Sequence, residues 1–351
     1  DTLGIDRGDF IRDTLINLSD TVQLVNFVVT PTVSGGGGCP GTPDTTHIYL
    51  NPTPRLEVTV VSDTILCDSG IVTFEIDSLI QGSTGRWVYD VSATASDASL
   101  TGYTNATDRT ADLSDELVNT SNTVQWVEYT FHPRLNQRSG SGMCDNGTAW
   151  DTTIRIYVNP TPEISVSVVD TIICNDEGFA FDIDSLVTTL GEVRYHLDID
   201  YAGGAVTGLR SNGDYDAVDL SDTINNPTNA VQAVRYTFTA YTEGATNLGD
   251  CENGLDTTIV IYVNPTPELS VSVIDTVVCN DAPFDITLNS VVSTLGEERY
   301  YIDVDYGANV TGLLTNVDSA VTTLQDSLHN NSNSYQVVRY TFTAFSQGAT
   351  N

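Results

Sequence analysis

Apolar and polar residues alternate along this chain in short runs, the period-two pattern of strands with one face buried and the other in water. In Leu197-Asp198-Ile199-Asp200-Tyr201 and Ile302-Asp303-Val304-Asp305-Tyr306 the aliphatic side chains share one face and the aspartates the other. Turn signals separate the runs: Asn-Gly at Asn146, Asn212 and Asn253, together with Asp-Ser and Gly-Gly pairs. No long stretch has helical periodicity, and Asp219-Leu220-Ser221-Asp222 is the candidate for a short turn. The pattern predicts strands throughout.

The same pattern returns at a fixed interval. Ile48-Tyr49-Leu50-Asn51-Pro52-Thr53-Pro54 recurs as Ile156 to Pro162 and again as Ile261 to Pro267, spaced by 157−49=108 and 262−157=105 residues. Behind each marker come an alternating run and a cysteine, Leu56 to Val61 then Cys67, Ile164 to Val169 then Cys174, Leu269 to Ile274 then Cys279. Val234-Arg235-Tyr236-Thr237-Phe238-Thr239 matches Val338 to Thr343, with diverged copies at Val127 to Phe131 and Val25 to Val29. In this phase, residues 1–50 form the C-terminal half of one repeat, 55–158 and 163–263 two whole repeats, and 268–351 a repeat lacking its last strand. The expectation is a stretch of a longer repetitive protein, or a chain whose missing strands come from neighbours; Asp1-Thr2-Leu3-Gly4 does not read as a native translation start.

About seven short strands in roughly 105 residues is the strand count of an immunoglobulin-like sandwich, so the expected fold is all-β, tandem immunoglobulin-like β-sandwich domains in an extended rod. Two prolines in each Asn-Pro-Thr-Pro fix φ and withhold backbone donors, which predicts short, extended and stiff junctions. A unit that opens with Ile/Val-Cys near its first turn, closes with Cys-x-Asn-Gly before Asp-Thr-Thr-Ile and ends in Tyr-Val-Asn-Pro-Thr-Pro resembles the PKD-like repeats of giant Bacteroidota surface proteins. That resemblance covers nearly the whole chain and implies export by the type IX system, an extracellular place on the cell surface, and an adhesive or gliding role. The chain departs from the pattern in having no lysine and in its Cys-Asn-Asp and Cys-Asp-Ser turns.

Charge removes several functions. Against 47 Asp and Glu stand 13 basic residues, for a formal charge of −34 over 351 residues, a surface that repels phosphate backbones and anionic membranes. Nucleic acid is therefore not an expected partner. All 13 basic residues are arginine, so lysine isopeptide cross-links, Schiff bases and P-loops are impossible. The longest apolar run, Ile259 to Val263, is far below the ~18 residues a membrane span needs, so direct membrane insertion is not expected. An acidic surface of this kind also suits a salty medium that screens its self-repulsion.

Six cysteines, Cys39, Cys67, Cys144, Cys174, Cys251 and Cys279, fall at two positions per repeat and never as Cys-x-x-Cys, which favours disulfides over zinc. Three registers are open. Pairing within a repeat, Cys67/Cys144 or Cys174/Cys251, spans 77 residues; if immunoglobulin topology holds, these cysteines lie at opposite poles, about 30 Å apart along a strand, against the ~7 Å limit of a disulfide. Neighbouring pairs, Cys39/Cys67, Cys144/Cys174 and Cys251/Cys279, need the chain to fold back at its prolines. Pairing Cys67 with Cys251 instead joins the first turn of one repeat to the late loop of the next.

Catalytic chemistry finds no shared constellation. His47, His132, His196 and His329 lie at unrelated repeat phases, and Asp198/Asp200 and Asp303/Asp305 read as solvated strand faces rather than an acid–base pair. Calcium is the one cofactor considered, with Asp170, Asp176, Glu177, Asp275 and Asp281 near the junctions as candidate oxygen ligands, although no twelve-residue calcium loop is present. Asp-Thr-aliphatic triplets read as local Asx turns before strands, and they also resemble the O-glycosylation acceptor of exported Bacteroidota proteins, which makes Thr64, Thr171 and Thr276 candidate glycan sites. Gly35 to Gly38 reads as a hairpin tip, and Arg235 and Arg339 as partners of Asp on the sheet face. The function expected is a non-enzymatic stalk or filament segment mediating adhesion, whose partners are copies of itself and a cell-surface protein or glycan. The alternatives are a glycan- or protein-binding module, and a spacer beside an enzyme outside these residues.

Overall fold

A computed structural model describes residues 8, 10–33, 38–137, 142–145, 147–201 and 205–348. Its backbone divides into two compact units, Asp1–Thr161 with Gly244–Gly249, and Pro162–Glu243 with Asp250–Asn351. Both are built from antiparallel sheets packed face to face, the tandem β-sandwiches expected from the alternating pattern.

In the first unit, one sheet of the 55–158 repeat orders the strands Leu56–Val60, Gly70–Ser78, Leu113–Asn119 and Leu100–Thr101. The opposing sheet orders Ile65–Leu66, Thr152–Val158, Gln125–Gln137, Gly85–Ala95 and Ala106–Arg109, with Met143–Cys144 paired to Gln125–Gln137. Alternation sets the register: Val72, Phe74 and Ile76 point inward while Glu75 and Asp77 stay in water. Phe74 meets Tyr129 and Phe131 across the core, with ring centroids 4.9 and 5.2 Å apart. Ile65–Leu66 runs parallel to the last strand, matching Tyr157 and Val158, so each whole repeat closes its beginning onto its end. The N-terminal half-repeat contributes the hairpin Gln23–Val29 with Asp44–Leu50.

The second unit repeats the plan. Ile164–Val168, Gly178–Ser185 and Leu220–Thr223 face a sheet ordered Ile172–Ile173, Asp256–Val263, Gln232–Glu243, Glu192–Tyr201 and Gly213–Asp216. Phe181 packs on Tyr236 and Phe238 at 4.9 and 5.2 Å, reproducing the aromatic core of the preceding repeat. In the 268–351 repeat, Arg339–Gln347 pairs with Glu297–Asp305 alone among the described residues, and Tyr340 and Phe342 are only half-buried. Thr-Gly recurs at Gly102, Gly208 and Gly312 for a steric reason: a Cβ on Gly102, whose φ is +95°, would sit 1.9 Å from the Glu116 carbonyl oxygen.

Two local expectations change. Leu220-Ser221-Asp222 is strand rather than turn, because Leu220 and Asp222 both point into the core. The helical turn that does form is a short 3₁₀ segment, Gly147–Trp150, starting at the glycine of the first Cys-x-Asn-Gly. Gly35, Gly36 and Gly37 of the glycine run lie outside the described residues. No described helix is long and apolar enough to cross a membrane.

Candidate functional site: the joint between repeats

A site that recurs once within each unit is the place where one repeat meets the next, and it is assembled from short polar residues. Asn17, Asn119 and Asn226 begin turns of the form Asn-x-Ser/Thr-x-x. The Asn119 amide donates to the carbonyl of Val158, the end of the last strand, at 2.9 Å and to Thr123 O at 2.9 Å, while its own oxygen accepts from Ser121. Asn226 does the same with Val263 and Ala230, and Asn17 with Leu50 and Thr21. A buried primary amide with all its valences used fixes the turn against the strand end. Asn119 and Asn226 are each 2% exposed, so these amides are structural anchors and not glycan acceptors.

The pinned turns present a carbonyl to the following repeat. Asp20 O accepts from Gln81 N at 2.9 Å, and Asn229 O accepts from Ser293 N at 2.9 Å. Both close a one-residue parallel bridge, Thr21 with Gln81 in the first unit and Ala230 with Ser293 in the second. Beside each bridge stands the asparagine of Asn-Pro-Thr-Pro. Asn51 Oδ1 accepts from Thr84 N at 2.9 Å, and Asn264 Oδ1 from Leu295 N at 2.6 Å. The sequence-expected stiffness of the prolines is thus joined by a hydrogen-bonded dock, with Pro52 and Pro265 themselves buried.

The marker is held from behind as well. Asn159 N donates to Leu66 O at 2.8 Å and Asn264 N to Ile173 O at 2.9 Å, extending the parallel pairing of each first turn. Thr161 Oγ1 donates to Asp68 Oδ2, and Asn175 Nδ2 to Thr266 Oγ1, both at 2.9 Å. The first turn after each cysteine therefore grips the threonine of its own Asn-Pro-Thr-Pro. In the first unit the segment Gly244–Gly249 adds two contacts, Ala245 O accepting from Asn159 Nδ2 at 2.9 Å and Asn247 Nδ2 donating to Asp63 Oδ1 at 2.6 Å.

The sequence-predicted residues occupy this framework unevenly. Cys67 and Cys251 are disulfide-bonded, whereas Cys39, Cys174 and Cys279 carry free thiols. Cys144 lies in a strand opposite Leu135. In the third repeat Cys174 follows the strand paired with Tyr262 and Val263, while Cys251 precedes Asp256, so the two sit at opposite ends of the last strand. Of the calcium candidates, Asp176 accepts from Asn225 Nδ2 at 2.8 Å, Glu177 from Cys174 N at 2.8 Å, and Asp281 is 2.8 Å from His329 Nδ1. Asp170 and Asp275 are not brought to them, and no group of three metal-ligating side chains gathers among the described residues. Thr64 and Thr171 are half-buried, their carbonyls accepting from Tyr157 N and Tyr262 N, while Thr276 is exposed. Asp63 forms the expected Asx turn, accepting from Ile65 N. Arg235 and Arg339 stand directly opposite Asp200 and Asp305 without closing an ion pair.

One recurring pair escapes sequence reading. Tyr129, Tyr236 and Tyr340 donate to Asp115, Asp222 and Asp326 at 2.7, 2.8 and 2.6 Å. All three aspartates are buried, and burial followed by the carboxylate contact pushes each tyrosine hydroxyl well above its ordinary range. The available signal is an Asp in the apolar phase of a strand with Tyr fourteen residues later in the last three repeats, Phe27 standing at that position in the first.

Comparison with known proteins gives the same class. The PKD-like domain family matches residues 1–54, 64–162 and 276–350. Among solved structures, the Escherichia coli adhesin FdeC shares 11% identity over 85% of this chain and 94% of its own, with a TM-score of 0.34. Invasin, a bacterial integrin-binding protein, shares 14% over 83% and 56%, with a TM-score of 0.27. Domains 4 and 5 of the S-layer protein SbsC share 11% over 60% and 98%, with a TM-score of 0.21. No protein of curated function matches.

Proposed function

The chain belongs to the PKD-like domain family, and from that premise we propose that it is a non-enzymatic stalk segment of an extracellular, cell-surface adhesion protein. The observation that carries this reading is the repeated joint. The same carbonyl-to-amide bridge and the same Asn-Pro-Thr-Pro acceptor recur at Asp20/Gln81 with Asn51/Thr84 and at Asn229/Ser293 with Asn264/Leu295. A protein that only had to carry independent modules would be served by a solvated linker; fixing successive sandwiches in one relation yields reach and stiffness.

The disulfide-bonded state of Cys67 and Cys251 supports an extracellular place, since disulfides persist in an oxidising exterior. The finer form of the proposal is a rod-like segment of a giant Bacteroidota protein exported by type IX secretion, assembling with copies of itself into an appendage that binds a cell-surface protein or glycan. Its test is protease shaving of intact source cells, followed by adhesion assays on cells lacking the gene. Loss of the protein by shaving and of attachment on deletion are expected. Retention of the protein inside unbroken cells would overturn the surface reading.

A further inference from the structure

Two histidines that sequence phase leaves unrelated occupy one place in the sandwich. His132 lies on Gln125–Gln137 opposite Asp90, and His196 lies on Glu192–Tyr201 opposite Thr239. Thr239 is the repeat equivalent of His132, so a single cross-strand position carries a histidine in both whole repeats, once from each strand. The partners also correspond. His132 Nε2 is 3.0 Å from Asp145 and His196 Nε2 is 3.0 Å from Glu252, the acids that immediately follow Cys144 and Cys251. The other ring nitrogen meets a second carboxylate in each case: His132 Nδ1 is 2.6 Å from Asp151, and His196 Nδ1 contacts Asp214.

An imidazole between two carboxylates can satisfy both only when both nitrogens carry protons, because neutral histidine has one donor. We propose that His132 and His196 are proton-operated latches, which when protonated hold both flanking carboxylates to the sheet and when neutral keep only one of them, loosening the stretches Gly147–Asp151 and Glu252–Asp256 beyond the anchored Cys144 and Cys251. The proposal stands independently of the stalk reading.

The surroundings favour the charged form. Around His132 the facing groups are Asp145, Asp151 and cross-strand Asp90, with Arg134 engaged by Asp90 and Asp108. Around His196 they are Asp214, Glu252 and the Tyr241 ring, stacked 4.3 Å away, while Arg194 is occupied by Asp216 and Glu243. Burial pulls His132 down, but the Asp151 hydrogen bond and the charges of Asp151 and Asp145 carry it above the ordinary histidine range. The Glu252 hydrogen bond raises His196, against a smaller effect of burial. Asp145 is itself held low by the Gly147 N–H. For a group raised on closure, the latch is fully engaged below the ordinary histidine pKa of about 6.5 and is lost as pH rises through the closed-state value.

Linkage makes the test quantitative: loop opening should grow tenfold for each unit separating the closed-state and open-state imidazole pKa. The experiment is ¹⁵N NMR titration of the imidazoles in the full chain, with hydrogen exchange of residues 147–151 and 252–256 from pH 5.5 to 9, corrected for intrinsic exchange. Protonation of both ring nitrogens at pH 6.5, and loop opening that rises across the same titration by the factor the pKa difference dictates, are expected. His132→Gln and His196→Gln should each make the corresponding loop insensitive to pH. Imidazoles that titrate at or below about 6.5, or loops whose protection stays level while the imidazoles deprotonate, would overturn the proposal, and neither readout depends on a variant folding.

Discussion

Replacing Tyr236 by Phe isolates the worth of the buried tyrosine–aspartate pair. The hydroxyl donates 2.8 Å to Asp222 Oδ2, with Tyr236 fully buried and Asp222 8% exposed. Phe retains the ring packing on Phe181 and Phe179, so the change is confined to one hydrogen bond. Asp222 Oδ2 keeps a single, longer donor, Arg210 N at 3.3 Å. Losing a hydrogen bond to a carboxylate and leaving that oxygen poorly satisfied costs about 1.5–3 kcal/mol. For a domain near 100 residues, each kcal/mol lowers Tm by roughly 4–8 °C, so the third repeat should melt about 6–24 °C earlier. Because several sandwiches share the chain, a global transition would blend them; native-state hydrogen exchange on the Gln232–Glu243 amides reads the third repeat alone. Tyr262→Phe, at a ring 42% exposed, is the control and should stay within about 0.5 kcal/mol. If the two variants were indistinguishable, the pair would contribute nothing and the reasoning from burial would fail.

Other outcomes follow from the same structure. Asn264→Ala should loosen the third-to-fourth joint, raising exchange at Leu295 N by about 5- to 30-fold while leaving exchange within the third sandwich unchanged. Non-reducing peptide mapping should recover Cys67 linked to Cys251, and finding Cys174 linked to Cys251 would refute the inter-repeat register. Intact-mass measurement on native material should show added sugar, with Thr276 the most accessible acceptor; the bare polypeptide mass would dispose of glycosylation.

Much of the fold was legible because period-two alternation states both the strand and its buried face. Val72, Phe74 and Ile76, or Leu197 and Ile199, are core residues in the structure for the reason they alternate in the sequence. Proline chemistry likewise announced the junction, but the dock beside it was hidden, since Asn17, Asn119 and Asn226 read as ordinary loop residues until the strand ends they cap are placed in space. Polar residues in the core were misread where short-range chemistry offered a simpler account. Asp222-Thr223-Ile224 has the pattern of an Asx turn, yet the Asp222 side chain answers Tyr236 fourteen residues away. The two histidines were unrelated in phase because equivalent positions of paired strands differ by register, which only the ladder reveals.

Electron microscopy of the native, unreduced protein tests the stalk reading most directly, through the angle between successive sandwiches. Joints built like Asp20/Gln81 with Asn51/Thr84 predict strings in which that angle is narrowly distributed from particle to particle. Strings that bend freely at every Asn-Pro-Thr-Pro would contradict it.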